Sequence, residues 1–464
     1  MRHGVVRRAA PVGRAGTPAA RGGAPVAQRA AVPGRPAVAP GRKGAPAAPA
    51  VRPPRDRRAL SHVGGAIELE GGSEDERHAL RSALAVEPDE TATQAHVHGF
   101  HSYPARLHPE TARRLIEELS RPGDRVLDPF CGSGTVLVEA RLAGRAALGV
   151  DVNPLAIELS ELKANGPGAP WVPRLVPLAK RVAEHGDDRR RARAGATRRY
   201  DETDVALFAP HVLLELDGLR DGIDHVEDPD VRRALLLVLS AVLTKVSARA
   251  GDTGRSEGQK RVSAGYTARF FVKKAEELAR RLGEAAELLP PRAPLVKAVH
   301  GDARDLHGVS DGKIDLVVSS PPYAGVYDYV FHHRDRLRWL GLPEERFETH
   351  EIGARRHARG VSFGHALTRF RSELGAALGE LGRVLSPRGA AVLVIADSVL
   401  ASHAVFAEEL VRGLAPGAGL TLVASASQKR PHVHAPTQRA FASRPRREHA
   451  LLLRRASGGA RRIG

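Results

Sequence analysis

Two short motifs carry the residues best suited to chemistry. One is Asp128-Pro129-Phe130-Cys131-Gly132-Ser133-Gly134-Thr135. The other is Ser319-Ser320-Pro321-Pro322-Tyr323. Each follows an apolar run that reads as a buried strand. The first has the form of a loop that wraps a nucleotide-like cofactor. Its glycines, Gly132 and Gly134, let the backbone pass close to a bound molecule. The helix expected from Thr135 aims its first N–H groups at a ligand carboxylate. Asp128 is placed to meet a ligand ammonium or to order the loop. The second motif has the form of a rigid clamp for a planar amino group. An exocyclic base nitrogen is a poor nucleophile because its lone pair is delocalised into the ring. Hydrogen bonds from that amine to the Ser320 hydroxyl and the Pro321 carbonyl favour a pyramidal nitrogen. Pro321 and Pro322 fix φ and hold that carbonyl in place. Tyr323 offers a flat face for stacking a base taken out of a helix.

The elements that must position these motifs follow from the surrounding pattern. His101–Glu110 leads into a helix through Thr111–Leu119, with Leu115, Ile116 and Leu119 on one face. Arg125–Leu127 begins a strand, Thr135–Leu142 is a helix stopped by Gly144, and Ala146–Val150 is a second strand ending in Asp151-Val152-Asn153-Pro154. Strand, Gly-rich turn, helix, strand is a βαβ unit of dinucleotide-fold type. The rhythm returns at Leu295–Val299, which closes on His300-Gly301-Asp302, and at Ile314–Val318, which delivers the Pro-Pro turn. A helix over Phe370–Leu385, a strand over Ala390–Ile395, and a final antiparallel hairpin of Leu420–Ala424 with His449–Leu453 complete the sheet. In such a sheet, ligands bind beyond the C-terminal strand ends. Asp128, Asp151, Asp302 and Ser320 all fall there. Asp151 is placed for ribose hydroxyls, and Asp302 to accept from an adenine amino group.

Residues 167–290 break the α/β rhythm with helical patterns over Arg232–Ser247 and Ala268–Leu289. An insertion of this size suits target recognition, and a structural helical cap is the competing reading. Ala248–Ala264 reads as a loop. The domain plan is therefore a basic tail over 1–60, a linker over 61–95, a cofactor-binding half over 96–166, the insertion over 167–290, a catalytic half over 291–456 and a tail over 457–464.

The formal charge of +18 is uneven. Residues 1–60 carry +12 and residues 428–464 carry +9, which leaves −3 for 61–427. The pI of 10.7 thus describes the ends rather than the body. Basic ends can hold a polyanion through its phosphates. The first 60 residues are Ala, Pro, Gly and Arg with few large apolar side chains, a composition expected to be disordered. A single cysteine, Cys131, excludes an internal disulfide framework and suggests a cytoplasmic protein. Inside the loop Cys131 reads as a small packing residue rather than a nucleophile. No apolar run is long enough to span a membrane. The 21 histidines show no spacing that reads as a metal site; His432-x-His434 is the nearest.

At these motifs the chain resembles the S-adenosylmethionine-dependent amino-methyltransferases of DNA, the cytosine-N4 and adenine-N6 group. Tyr103–Asn153 resembles that group's cofactor block, and Ser320–Tyr323 its catalytic tetrapeptide. The resemblance implies a Rossmann-like class I methyltransferase sheet, mostly parallel with a C-terminal antiparallel hairpin, plus the helical insertion. It implies S-adenosyl-L-methionine held by Asp128, Pro129, Phe130, Gly132, Ser133, Gly134, Thr135, Asp151, Asn153 and Asp302. Ser320, Pro321, Pro322 and Tyr323 would hold the target amine. Serine in the first place is commoner among cytosine-N4 enzymes, aspartate among adenine-N6 enzymes. DNA is the implied partner, with an endonuclease as a second; the oligomeric state stays open. The block order departs from the pattern, because relatives with the closest glycine loop usually place the tetrapeptide first. That moves target recognition to residues 167–290 and 324–365. The order is also similar to tRNA guanine-N2 methyltransferases, so an RNA substrate stays open. So does a non-catalytic nucleic-acid-binding protein on the same scaffold. Arg355, Arg356, His357 and Arg359 form a candidate phosphate strip, with a solvated basic loop as the alternative.

Overall fold

The computed structural model describes residues 65–86, 90–249, 260–430 and 435–456. The basic tail over 1–60, His432-x-His434 and the tail over 457–464 lie outside the described residues, as does most of the Ala248–Ala264 loop. Ten strands occur among the described residues: β1 (Ile67–Gly71), β2 (Arg125–Asp128), β3 (Ala146–Asp151), β4 (Lys297–His300), β5 (Ile314–Ser319), β6 (Leu385–Ala396), β7 (Ser398–Leu400), β8 (His403–Val405), β9 (Leu420–Lys429) and β10 (Arg447–Arg455). Eight of them form one sheet in the order β1-β9-β10-β6-β5-β2-β3-β4, while β7 and β8 pair separately. Strands β6, β5, β2, β3 and β4 are joined in parallel. Strand β10 runs antiparallel to both β6 and β9, and β1 antiparallel to β9. This is a Rossmann-like sheet, mostly parallel, with the antiparallel hairpin at its C-terminal side.

The order dictates where a ligand can sit. From β2 the chain builds outward through β3 and β4, then crosses back to place β5 on the other flank of β2. The point where the winding reverses leaves a crevice beyond the carboxyl ends of β2 and β5. Val126 pairs with Leu316 and Leu127 with Val317, so the two motif-bearing loops leave the sheet side by side. The strands hold their places because they are apolar throughout: Leu127, Leu316, Val317 and Val318 are fully buried.

The insertion consists chiefly of helices Val172–Arg191, Pro210–Asp224, Pro229–Val246 and Tyr266–Glu287. Asp228 caps the third of these, accepting from the backbone N–H groups of Asp230 and Val231, with proline at the first helical position. Phe271, Ala275, Leu278, Leu282 and Ala285 bury one stripe of the fourth at alternating spacings of four and three. These residues join the same apolar core as Val126, Leu137 and Leu316 of the sheet layer.

Residues 61–95, expected as a linker, require a correction. They contain β1 and the helix Glu74–Leu84. A Ser73/Glu76 capping box starts this helix, and Leu80 and Ala83 are wholly buried. Its acids meet the arginines of the C-terminal hairpin and its neighbours: Glu68 with Arg447, Glu76 with Arg454, Glu70 with Arg412. Alternating Glu68 and Glu70 also charge the exposed edge of the sheet, a composition that blunts edge-to-edge pairing. The expected strand over Ala390–Ile395 begins earlier, ahead of the turn Pro387-Arg388-Gly389. This turn lies inside β6, where the register to β5 slips between Ile314–Leu385 and Leu316–Ala390.

Candidate active site

The loop after β2 is organised by carboxylates of the strand ends. Asp128 is buried, and its Oδ1 accepts from the Ser319 hydroxyl at 2.6 Å and the Phe130 amide at 3.1 Å. One side chain therefore links both motifs. Asp128 does not line the ligand cavity, so of its two expected roles the structure displays the ordering of the loop. Burial pushes its carboxyl up to about 7. Asp151, at the end of β3, accepts from the Gly132 amide at 2.9 Å and the Asn153 amide at 2.8 Å. Burial likewise raises it to about 6, against those two hydrogen bonds. Asn153 caps the helix Pro154–Asn165 through the Leu155 amide and donates to the Tyr103 hydroxyl at 3.0 Å.

The glycines are required by geometry. Gly134 has φ of +83°, and a Cβ there would lie 2.8 Å from Ser160 Cα on the following helix. Gly132 has φ of +50°, and a Cβ there would lie 3.4 Å from the Tyr103 ring. Cys131 is buried, and burial pushes its thiol up, which leaves it the small packing residue expected. Ser133 buries a hydroxyl with no hydrogen-bond partner among the described residues.

A cavity of about 80 Å³ opens beyond these strand ends. Pro129, Phe130, Gly132, Asp151, Asn153, Asp302, Ser320 and Pro322 line it, as expected of a shared pocket. Ser133, Gly134, Thr135, Pro321 and Tyr323 do not. Asp302 is already engaged by Arg304 at 2.6 Å. Burial opposes ionisation of Asp302, but the guanidinium prevails and holds it below the usual carboxylate range. Sequence reasoning missed the far wall, made by Tyr329, Phe347, His350, Glu351 and Ile352. Glu351 is buried, accepts from the Tyr329 amide at 2.7 Å and is raised by burial. The only sequence signal for this wall was its proximity to the clamp.

A second cavity, about 500 Å³, lies against the clamp. Thr135, Ser320, Tyr323, Tyr327, Arg430, Arg446 and Glu448 contribute to its wall. Ser320 and Ala105 border both cavities. Ala105 has φ of +53°, strained for a residue with a Cβ, and such strain concentrates at functional sites. The Ser320 hydroxyl lies 3.4 Å from the Tyr323 hydroxyl. Arg430 is buried, donates from Nε to Glu448 at 2.8 Å, and keeps Nη1 without a partner among the described residues.

Several basic residues are spent inside the protein. Arg336 is buried and donates to Ser102 and to Thr244 Oγ1. Arg338 and the Trp339 indole both donate to Asp204, joining the helix Tyr329–Leu340 to the insertion. In the candidate phosphate strip, Arg356 pairs with Glu351, and Arg355 and Arg359 approach buried Asp328 at 3.4 and 3.9 Å.

Residues 70–162 match the N6/N4 DNA methylase family. The polar strand ends, the close-approach glycines and the mixed far wall would suit S-adenosyl-L-methionine. The chain is 35% identical over 68 residues to the type II methyltransferase M.MjaII of Methanocaldococcus jannaschii, covering 15% of this chain and 13% of that protein. It is 37% identical over 86 residues to a tRNA (guanine(10)-N2)-dimethyltransferase of Methanothermobacter thermautotrophicus, covering 18% and 26%. Against the type II methyltransferase M.MvaI of Kocuria varians it is 38% identical over 76 residues, covering 16% and 17%. The chain thus spans about a quarter or less of the length of these relatives. Among solved structures, a TehB-like methyltransferase of Corynebacterium glutamicum aligns over 74% of this chain and 86% of that one, at 12% identity and a TM-score of 0.26. A methyltransferase of Methanosarcina mazei aligns over 74% and 97%, at 11% identity and 0.30. Among the described residues no helix is long and apolar enough to cross a membrane.

Proposed function

We propose that this protein is a site-specific DNA methyltransferase that modifies the exocyclic amine of a flipped base, cytosine N4 first and adenine N6 next. The observation that carries this reading is the position of Ser320, which borders the cofactor cavity on one side and the second cavity on the other. An amine held at Ser320 from the second cavity faces the first. The Ser320 hydroxyl and the Pro321 carbonyl accept the two amine hydrogens, and the prolines keep that carbonyl fixed. Tyr323 stacks on the base, an interaction worth roughly 1–3 kcal/mol. Arg430, paired with Glu448, lines the wall of the second cavity. When bound, the cofactor supplies an electrophilic methyl on a sulfonium. Catalysis by this chain is then largely alignment of the nitrogen for in-line attack. In this reading residues 96–166 form the cofactor half, 291–456 the catalytic half, and 167–290 with 324–365 select the target. A partner endonuclease belongs to the same reading.

Purified protein incubated with labelled S-adenosylmethionine and unmethylated genomic DNA is expected to yield methylated cytosine or adenine on nucleoside analysis. Tyr323→Ala is expected to lower kcat/KM about 10- to 100-fold, from the lost stacking. A base amine in RNA is the second reading, favoured by the cofactor-first order and by the 86-residue match to a tRNA guanine methyltransferase. Label in RNA guanosine but never in DNA would overturn the first reading in its favour.

A further inference from the structure

Behind the glycine loop, away from both cavities' shared wall, three potential ligands converge. His96 and His98 lie on one short 3-10 turn, His96–Gly99, and Glu139 projects from the helix Thr135–Leu142. One ligand atom from each lies within 4.8 Å of the others. His98 Nε2 is 2.6 Å from Glu139 Oε1, both residues being buried. The two imidazoles sit with centroids 4.7 Å apart. His96 Nδ1 is buried and has no hydrogen-bond partner among the described residues. His96 also adopts φ of +29°, a costly conformation for a residue with a Cβ. A protein gains nothing from turning a histidine inward by a strained backbone to leave its nitrogen unpaired.

We propose that His96, His98 and Glu139 form a binding site for a zinc-type divalent cation. Two imidazoles and one carboxylate are a donor set that suits zinc, with water as the fourth ligand. Bonds of about 2.0–2.1 Å put tetrahedral ligand atoms roughly 3.3 Å apart, inside the 4.8 Å within which these three atoms already lie. The ion takes the place of the proton shared between His98 and Glu139, which is released to solvent. The cations that face the site are the Arg106 and Arg281 guanidiniums, which donate to the His98 and His96 carbonyls, and the buried Lys163 amine; the Glu139 carboxylate is set against them. Entry is open at His96, the least buried of the three. The ion would staple the segment ahead of the cofactor block to the helix whose N-terminus carries Gly134. Its role is structural, since none of the three ligands lines the cofactor cavity.

The test uses untagged full-length protein, stripped with a chelator and titrated with Zn²⁺ or Co²⁺. About one ion per chain is expected to bind, with visible cobalt absorption and a raised Tm that the chelator reverses. His96→Ala removes a ligand that makes no hydrogen bond at Nδ1, so the chain should fold. It should bind the metal about 100-fold more weakly and lose the chelator-sensitive part of its Tm. Glu139→Gln should behave alike. Substoichiometric metal in the native chain, or undiminished binding by His96→Ala, would overturn the site. Neither readout depends on methyl transfer.

Discussion

Asp128 touches both motifs through one oxygen, and its protonation connects the site to stability. Its carboxyl titrates near 7 in the folded chain, whereas an unfolded aspartate titrates near about 3.9. Between those values the native state holds a proton that the unfolded state has lost. The stabilisation is thus fully present below about pH 4 and is lost as pH rises through about 7. Asp151, raised by burial to about 6, acts in the same direction. These carboxyls therefore lower Tm between pH 5 and 8, against the opposite contribution of buried His96, His98, His101 and His333, whose pKa burial lowers. In Asp128→Asn the side-chain oxygen still accepts from Ser319 and Phe130, and no charge is buried. This variant should lack the Asp128 contribution, and a difference on the order of a few kcal/mol follows from the size of the displacement. Thermal unfolding at both pH values measures it; parallel pH profiles in the two proteins would rule out titration of Asp128 in that window.

At the scale of elements, the two loop glycines separate packing from ligand approach. Gly134→Ala would force a Cβ against the backbone of Ser160 at a left-handed φ. A cost of roughly 1–3 kcal/mol from the backbone alone is expected, with the helix Pro154–Asn165 displaced as well. Gly132→Ala also carries left-handed strain, at φ of +50°, but its Cβ meets the Tyr103 ring and the Phe130 carbonyl only at ordinary contact distance. It should lose less Tm but proportionately more cofactor affinity, because its amide and Asp151 shape the pocket floor. Calorimetric titration with S-adenosylmethionine beside thermal unfolding distinguishes the two, and the opposite ranking would contradict this division. Both glycines were legible in the sequence, as were Asp128, Asp151 and Ser320. Each sits where an apolar strand stops, and strand ends are local signals. The far wall at Phe347–Ile352 and the Arg430–Glu448 pair were not legible as site residues. They reach the cavities by chain crossings that no short window records. Strand β1 was hidden for a related reason: five residues with two glutamates read as polar linker until β9 is there to pair with them.

At the scale of the whole molecule, the charge of +18 resolves into parts with different fates. Much of the basic C-terminal segment is consumed within the fold: Arg430 by Glu448, Arg444 by Glu409, Arg447 by Glu68, Arg454 by Glu76. Residues 61–427 sum to −3, so the body offers little net attraction to a polyanion. The +12 of residues 1–60 is then the largest unmatched charge in the chain. Deleting those residues lowers the formal charge to +6. In the DNA reading, each phosphate neutralised contributes about 0.9 to the slope of log affinity against log salt. The truncated protein should therefore bind DNA of any sequence more weakly at low salt, with a shallower salt dependence. Its kcat at saturating DNA should be unchanged, because every residue of the clamp and the cofactor pocket lies beyond position 100. Filter binding of full-length and truncated chains between 50 and 200 mM salt gives the two slopes. Equal slopes would place the polyanion contacts on the folded body instead, with the exposed Arg355 and Arg359 as the first positions to test.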